Sequence, residues 1–305
     1  MGNYLPAGQF GWVPPEERSA DATKIVESVL GSMPPFFVVG QTESSVGKRC
    51  VLWDYSRKIN DGKHLPTFRQ EVGDCVSQGA ANAINYLSAM EIVRLGDREK
   101  FRPAFQPFIY GVSRVQIGGG RINGDGSIGS WAAEGLKKFG VLFADEPDVP
   151  KYSGSVAKTW GNRPGPPTQF LQRAKPFVLK TTSQVTSYEQ VRDALANGYP
   201  VTVASNQGFQ MRGKVDRSKL WGVPAGSWAH QMCFIGVDDD SARPGCYCLN
   251  SWGADAHGAP VDDAPPGGFW VDAATVTRMV RQQDSFAFSQ FDGFPAQDLD
   301  FRLIG

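Results

Sequence analysis

Five cysteines in 305 residues are too few, and odd in number, for a disulfide framework, which excludes the small stapled scaffolds of the secreted class. Charge of one sign is missing as well. Thirty-one basic residues balance 31 acidic ones, and no Lys/Arg run forms a basic patch, so neither a nucleic acid nor a membrane surface is expected as partner. No stretch approaches the roughly 20 apolar residues of a membrane span, and Met1 to Gln9 lacks the basic region and apolar run of a signal peptide. Met1-Gly2 opens like a myristoylation site, but Pro6 stands where Ser or Thr is needed. Classical secretion is therefore not expected; the expected place of action is a reducing cytoplasm or the interior of a viral particle. Cys246 and Cys248 share one side of a strand-like segment without further ligands at metal-binding spacing, so they read as small buried hydrophobes. No metal and no cofactor are expected. Internal repeats and low-complexity tracts are also lacking.

What is present suffices for a real core: 41% of residues are hydrophobic and 11% aromatic,. Residues 1–60 are rich in Pro, Gly and polar residues, with one amphipathic helix over 21–30 and an apolar run at Phe36 to Val39. This extension is open to three readings: an inhibitory propeptide, an arm that docks on a partner, or a wrap over the core. From Cys75, apolar residues Val76, Ala80, Ala83, Ile84, Leu87 and Met90 recur at helical spacing, with Asp74 as the expected N-cap and Gly96 as the stop. Further helices are predicted over 130–139 and 188–196, ended by Gly140 and Gly198. Strands are predicted over 201–204, 232–237, 246–250 and 269–271. Helices early and strands late imply an α+β domain of two lobes. The final residues, with Phe286, Phe288, Phe291 and Phe294 among polar neighbours, predict an extended segment laid on an apolar surface. Packing on its own domain and reaching a neighbouring subunit both stay open. Protein partners are accordingly expected, if anywhere, through 1–60 and 286–305.

The chemistry-bearing residues are a thiol, an imidazole and a carboxamide in a meaningful order. A thiol attacks acyl carbon well only as thiolate, so it needs a base, and the base needs a third group to fix its tautomer. Cys75 opens a helix, where unsatisfied amides and the helix dipole favour a thiolate. Of three histidines, His64 and His257 sit in loop-like Gly and Pro contexts, whereas His230 follows Gly226-Ser227-Trp228 and precedes an apolar strand. Asn250 follows His230 by 20 positions within Asn250-Ser251-Trp252-Gly253.

These blocks make the chain resemble a papain-like (C1 family) cysteine peptidase from about residue 60 to 285. Gln70 to Ala83 resembles the nucleophile helix, Gly124-Asp125-Gly126-Ser127 through Val141 the following lobe segment, and Tyr188 to Ala204 the entry to the second lobe. Trp228 to Gly236, Leu249 to Gly253 and Gly267 to Trp270 resemble the His, Asn and closing strands. The resemblance implies a two-lobed fold with a helical lobe and a barrel-like lobe, flanked by an extension at 1–60 and a tail at 286–305. It also implies Cys75 as nucleophile, His230 as base and then acid, Asn250 as its orienting group, and Gln70 as oxyanion donor beside the Cys75 amide. Trp252 would shield the His230–Asn250 bond, and the segment from Ser205 to Phe209 would edge the substrate pocket, with Phe209 as apolar wall or as plain packing. The stretch 152–167 is expected to be flexible and to border the cleft.

The chain departs from the family pattern at named places. Val-Gly-Asp-Cys-Val replaces Cys-Gly-Ser-Cys-Trp, which removes a disulfide usual in the family and sets Asp74 beside the nucleophile, where its charge opposes a thiolate. Gln70 lies five residues before Cys75 instead of six, with Arg69 at the usual spacing, and Ala256 and His257 lie near where a second Trp often stands. The expected function is that of a thiol endopeptidase on polypeptide substrates. The alternative is a papain-fold structural or assembly subunit, for example of a viral particle, with catalysis weakened or lost. Transglutaminases and cell-wall amidases usually pair His with Asp, and Asn250 argues against them.

Overall fold

The computed structural model describes residues 9–41, 44–96, 100–211 and 218–297. Helices α1 (Ala20–Gly31), α2 (Trp53–Lys58), α3 (Cys75–Leu95), α4 (Gln106–Gly111), α5 (Gly129–Phe139), α6 (Gly154–Gly161), α7 (Thr168–Ala174), α8 (Tyr188–Ala196) and α9 (Ala273–Val280) accompany seven strands. The strands are β1 (Arg49–Val51), β2 (Thr181–Gln184), β3 (Val201–Gln210), β4 (Val223–Asp238), β5 (Gly245–Leu249), β6 (Gly268–Asp272) and β7 (Phe286–Ser289). All pairings between these strands are antiparallel, in the order β2-β7-β3-β4-β5-β6, and β1 adds to β4. Helices α3 to α6 pack on one another, and α8 and α9 pack on the antiparallel sheet, a mixed arrangement in keeping with the α+β reading. Among the described residues no helix is long and apolar enough to cross a membrane.

Local chemistry explains most boundaries. Ser19, Ser153, Ser187 and Asp272 each accept a backbone N–H from the first turn of α1, α6, α8 and α9, satisfying donors a helix start leaves orphaned. Gly96 ends α3 in the left-handed conformation at φ 63°, which costs glycine little. Asp74 occupies the N-cap position of α3 but its side chain makes no capping bond. Its carboxylate instead accepts from Gln78 Nε2 at 2.8 Å and from the Tyr152 hydroxyl at 3.1 Å, a correction to the expected cap. The stretch 152–167, expected to be flexible, holds α6, whose Trp160 packs between Phe105 and Phe170. A Ser cap and a buried indole outweigh its Gly and Pro content.

Helix α3 is buried along nearly its whole length, and Gly79 lies against the backbone of β4: a Cβ there would come within 3.0 Å of the Met232 carbonyl oxygen. Close approach of helix to strand is what a residue without a side chain permits. It draws the N-terminal end of α3 onto β4 beside Gln231. The sheet also takes strands from either side of residues 61–285. Arg49–Val51 pairs with β4, and Phe286–Ser289 lies between β2 and β3, with Phe286 and Phe288 fully buried. The Phe36 to Val39 run forms no strand; Phe36 is buried against Phe294 while Phe37 and Val39 are exposed.

Candidate active site

The sheet register sets the imidazole beside the carboxamide. Cys233 pairs with Leu249, so continuing the ladder by one step sets Asn250 opposite Met232. His230 is two residues from Met232 and therefore on the same face. There His230 Nε2 meets Asn250 Oδ1 at 2.8 Å. An amide oxygen only accepts, so this bond places the imidazole proton on Nε2 and leaves Nδ1 a lone pair. Nδ1 is buried and makes no hydrogen bond of good geometry among the described residues, with the Gln9 carbonyl close enough only to favour a charged ring. The Cys75 thiol lies against the same strand, accepting the Gln231 N–H at 3.4 Å. The structure thus joins His230 to Asn250 and seats the Cys75 thiol on the backbone of the next residue of the same strand.

Gln70 reaches the same place. Its amide nitrogen donates to Val72 O at 3.0 Å and to Gln9 O at 3.1 Å, and its oxygen accepts from Ser251 Oγ at 2.7 Å. Arg69, which stands at the usual spacing, turns outward and pairs with Asp255. Trp252 covers His230, with ring centroids 4.7 Å apart, and its indole N–H also donates to Gln9 O, at 3.1 Å. One peptide carbonyl is therefore held by two converging donors beside the thiol and imidazole, an arrangement that suits a carbonyl gaining negative charge.

That carbonyl belongs to the chain's own N-terminal segment. Gly11 N and Trp12 N donate to Ala229 O, Val13 N donates to Ser127 O, and Ser127 N donates to Gly11 O. Phe10 lies edge-on to both His230 and Trp252. The fit is close enough to exclude a methyl group: a Cβ on Gly11 would fall 2.0 Å from Gly73 O, and one on Gly73 would fall 2.5 Å from Phe10 O. Downstream, the buried Asp284 carboxylate clamps the segment, accepting Trp12 Nε1 at 2.6 Å and Arg18 Nη2 at 3.0 Å as well as the Gly129 and Ser130 amides at the start of α5.

Under this cover both Cys75 and His230 are neutral. Burial pushes the Cys75 thiol up to about 12, and the Asp74 carboxylate adds to the rise against the Gln231, Gly11 and Val76 amides. Burial likewise lowers His230 to about 4, assisted by nearby His257 and opposed by Asn250 and the Gln9 carbonyl. A thiol far above its base keeps its proton.

No protein-family model matches the chain, and no curated protein does. Solved structures do. Xylellain, a cysteine protease from Xylella fastidiosa, superposes with a TM-score of 0.55 at 17% identity, covering 93% of this chain and 92% of that one. Digestive procathepsin L 3 from the larval midgut of Tenebrio molitor gives 0.54 at 12% identity, covering 88% and 79%. The proform of the ragweed cysteine protease Amb a 11 gives 0.54 at 13%, covering 89% and 76%. The fold is papain-like. At such identities the likeness speaks for the architecture alone.

Within this papain-like fold, Ser205 and Phe209, expected to edge the substrate pocket, are buried, and Asn206 and Gln207 between them are half-buried. Phe209 packs on Trp228 and Phe269, and Ser205, opposite His230 in the ladder, accepts the Gln207 N–H at 3.3 Å. Three contributors escaped the sequence. Tyr152 hydrogen-bonds Asp74, Asp284 ties down the covering segment, and His257, set aside as a loop residue, meets Asn250 Nδ2 at 2.9 Å. Only His257 left a signal, since it stands near the place of a second Trp.

Proposed function

We propose that the chain is a papain-like thiol endopeptidase whose resting form is kept latent by residues 9–13. The observation that carries this reading is the junction of His230 with Asn250 at 2.8 Å and of Cys75 with Gln231 N, beneath a segment whose carbonyl engages Gln70. In the open enzyme, hydration of the cleft lowers the Cys75 thiol and raises His230, so that Cys75 transfers its proton to His230 Nδ1. The thiolate adds to the scissile carbonyl carbon while Gln70 Nε2 and the Cys75 N–H hold the oxygen's charge. Expulsion of the amine takes the proton from Nδ1 and leaves a thioester on Cys75. Water, deprotonated by Nδ1, then attacks the thioester, and the departing sulfur regains its proton. Asn250 keeps the ring aligned throughout.

The test is hydrolysis of a denatured protein by the Gly11→Ala variant, in which the segment cannot seat, compared with Gly11→Ala/Cys75→Ser. Cleavage that requires Cys75 supports the peptidase. An inert Gly11→Ala variant with an open cleft favours instead a subunit that has retained the fold for assembly.

A further inference from the structure

His257 is a buried ionisable side chain near the site that the proposed reaction leaves unused, and its surroundings give it a defined task. It is 7% exposed, enclosed by Trp228, Trp252 and Phe269, and its Nε2 lies 2.9 Å from Asn250 Nδ2. An amide nitrogen only donates, so His257 accepts there and its Nε2 carries no proton. Burial supports this, lowering His257 to about 4, and the groups packed on it, three aromatic rings and a carboxamide, carry no charge.

The Asn250 carboxamide is therefore held from both ends. Its oxygen takes the Ser251 N–H at 2.6 Å together with His230 Nε2, and its nitrogen gives to His257. Turning the amide over would set Nδ2 against the Ser251 N–H, donor against donor, and would require His257 to move its proton to Nε2 before it could donate to Oδ1. Both changes oppose the flip. With Oδ1 fixed toward His230, that ring must protonate at Nε2, and Nδ1 is left as the base.

We propose that His257 is a positioning residue which, through Asn250, selects the tautomer of His230 that can act as base. The inference rests on the peptidase reading for its consequence, since a base is needed only where Cys75 reacts, but the tautomer itself can be observed independently. The imidazolium form of His257 would have the opposite effect, presenting a donor to Asn250 Nδ2 and releasing the amide.

The experiment is nitrogen NMR of the full chain labelled with 15N-histidine. Only three imidazoles are present, each assigned by its loss on substitution. At neutral pH the expected pattern is His230 protonated on Nε2 alone and His257 with a bare Nε2. His257→Phe should keep the aromatic packing but remove the acceptor, and His230 should lose its single-tautomer signature. His257→Gln, whose oxygen can accept from Asn250, should restore it. An unchanged Nε2–H signature for His230 in His257→Phe, or a proton on Nε2 of His257 at neutral pH, would overturn the proposal. Because the readout does not depend on turnover, an inactive chain with the expected tautomers would defeat the peptidase reading and leave the tautomer inference standing.

Discussion

The two ends of the described chain meet the domain in different ways. Near the C-terminus, Phe286–Ser289 is a strand inside the sheet, flanked on both sides and fully buried. Near the N-terminus, residues 9–11 are held over the candidate site by backbone hydrogen bonds and one partly buried ring, anchored further on by Trp12 and Arg18 at Asp284. One end is part of the architecture, whereas the other covers it. The lesson is that one segment is fixed by contiguous apolar burial, whereas the other is held over the site by backbone contacts across a glycine pair and by one buried carboxylate.

Breaking the buried end should have the largest effect. Phe288→Ala empties a fully enclosed site and should cost roughly 3–5 kcal/mol in denaturant unfolding; a loss below about 1 kcal/mol would mean β7 is dispensable. Asp284→Ala attacks the link between the two ends, leaving the Arg18 charge, the Trp12 N–H and two α5 amides without their acceptor. The expected loss is about 3 kcal/mol, accompanied by faster alkylation of Cys75. Gly11→Ala probes the cover alone. Its methyl collides with Gly73 O, so residues 9–11 should lift while global stability changes by less than about 1 kcal/mol. Iodoacetamide labelling of Cys75 should rise about tenfold, the equivalent of ~1.4 kcal/mol of lost protection.

The smallest effect concerns pH. Burial raises Asp74 to about 7, with the Gln78 and Tyr152 hydrogen bonds opposing. An acid whose folded pKa exceeds its unfolded one binds more protons when folded, so its contribution to stability falls as pH rises from about 4 toward 7. Asp74→Asn should flatten that slope in denaturation curves taken across the window, and should also remove the charge that raises Cys75. A slope identical to that of the parent chain would show Asp74 to be ionised throughout.

Much of the site was legible because its residues carry both chemistry and pattern. Cys75 opens a periodic apolar helix, His230 precedes an apolar strand, and Asn250 lies in a four-residue block, so each could be found along the chain. The helix over 188–196 was readable to the residue because Ser187 and the apolar period agree. Other features depended on tertiary context. Asp74 reads as a cap, yet the fold offers its carboxylate the Tyr152 hydroxyl and the Gln78 amide. Gln70 departs from the usual spacing, and only the outward turn of Arg69 shows which side chain enters the cleft. The covering segment works through peptide groups, which every sequence contains. Its specific residues, Gly11 and Gly73, matter for the side chains they lack.

The central claim is tested most directly by mapping an epoxide probe's adduct by mass spectrometry in Gly11→Ala, beside the same variant carrying His230→Ala. The account predicts that Cys75 is labelled ahead of Cys50, Cys233, Cys246 and Cys248, and that the preference disappears without His230. Labelling spread evenly over the five thiols, or a Cys75 adduct indifferent to His230, would contradict it.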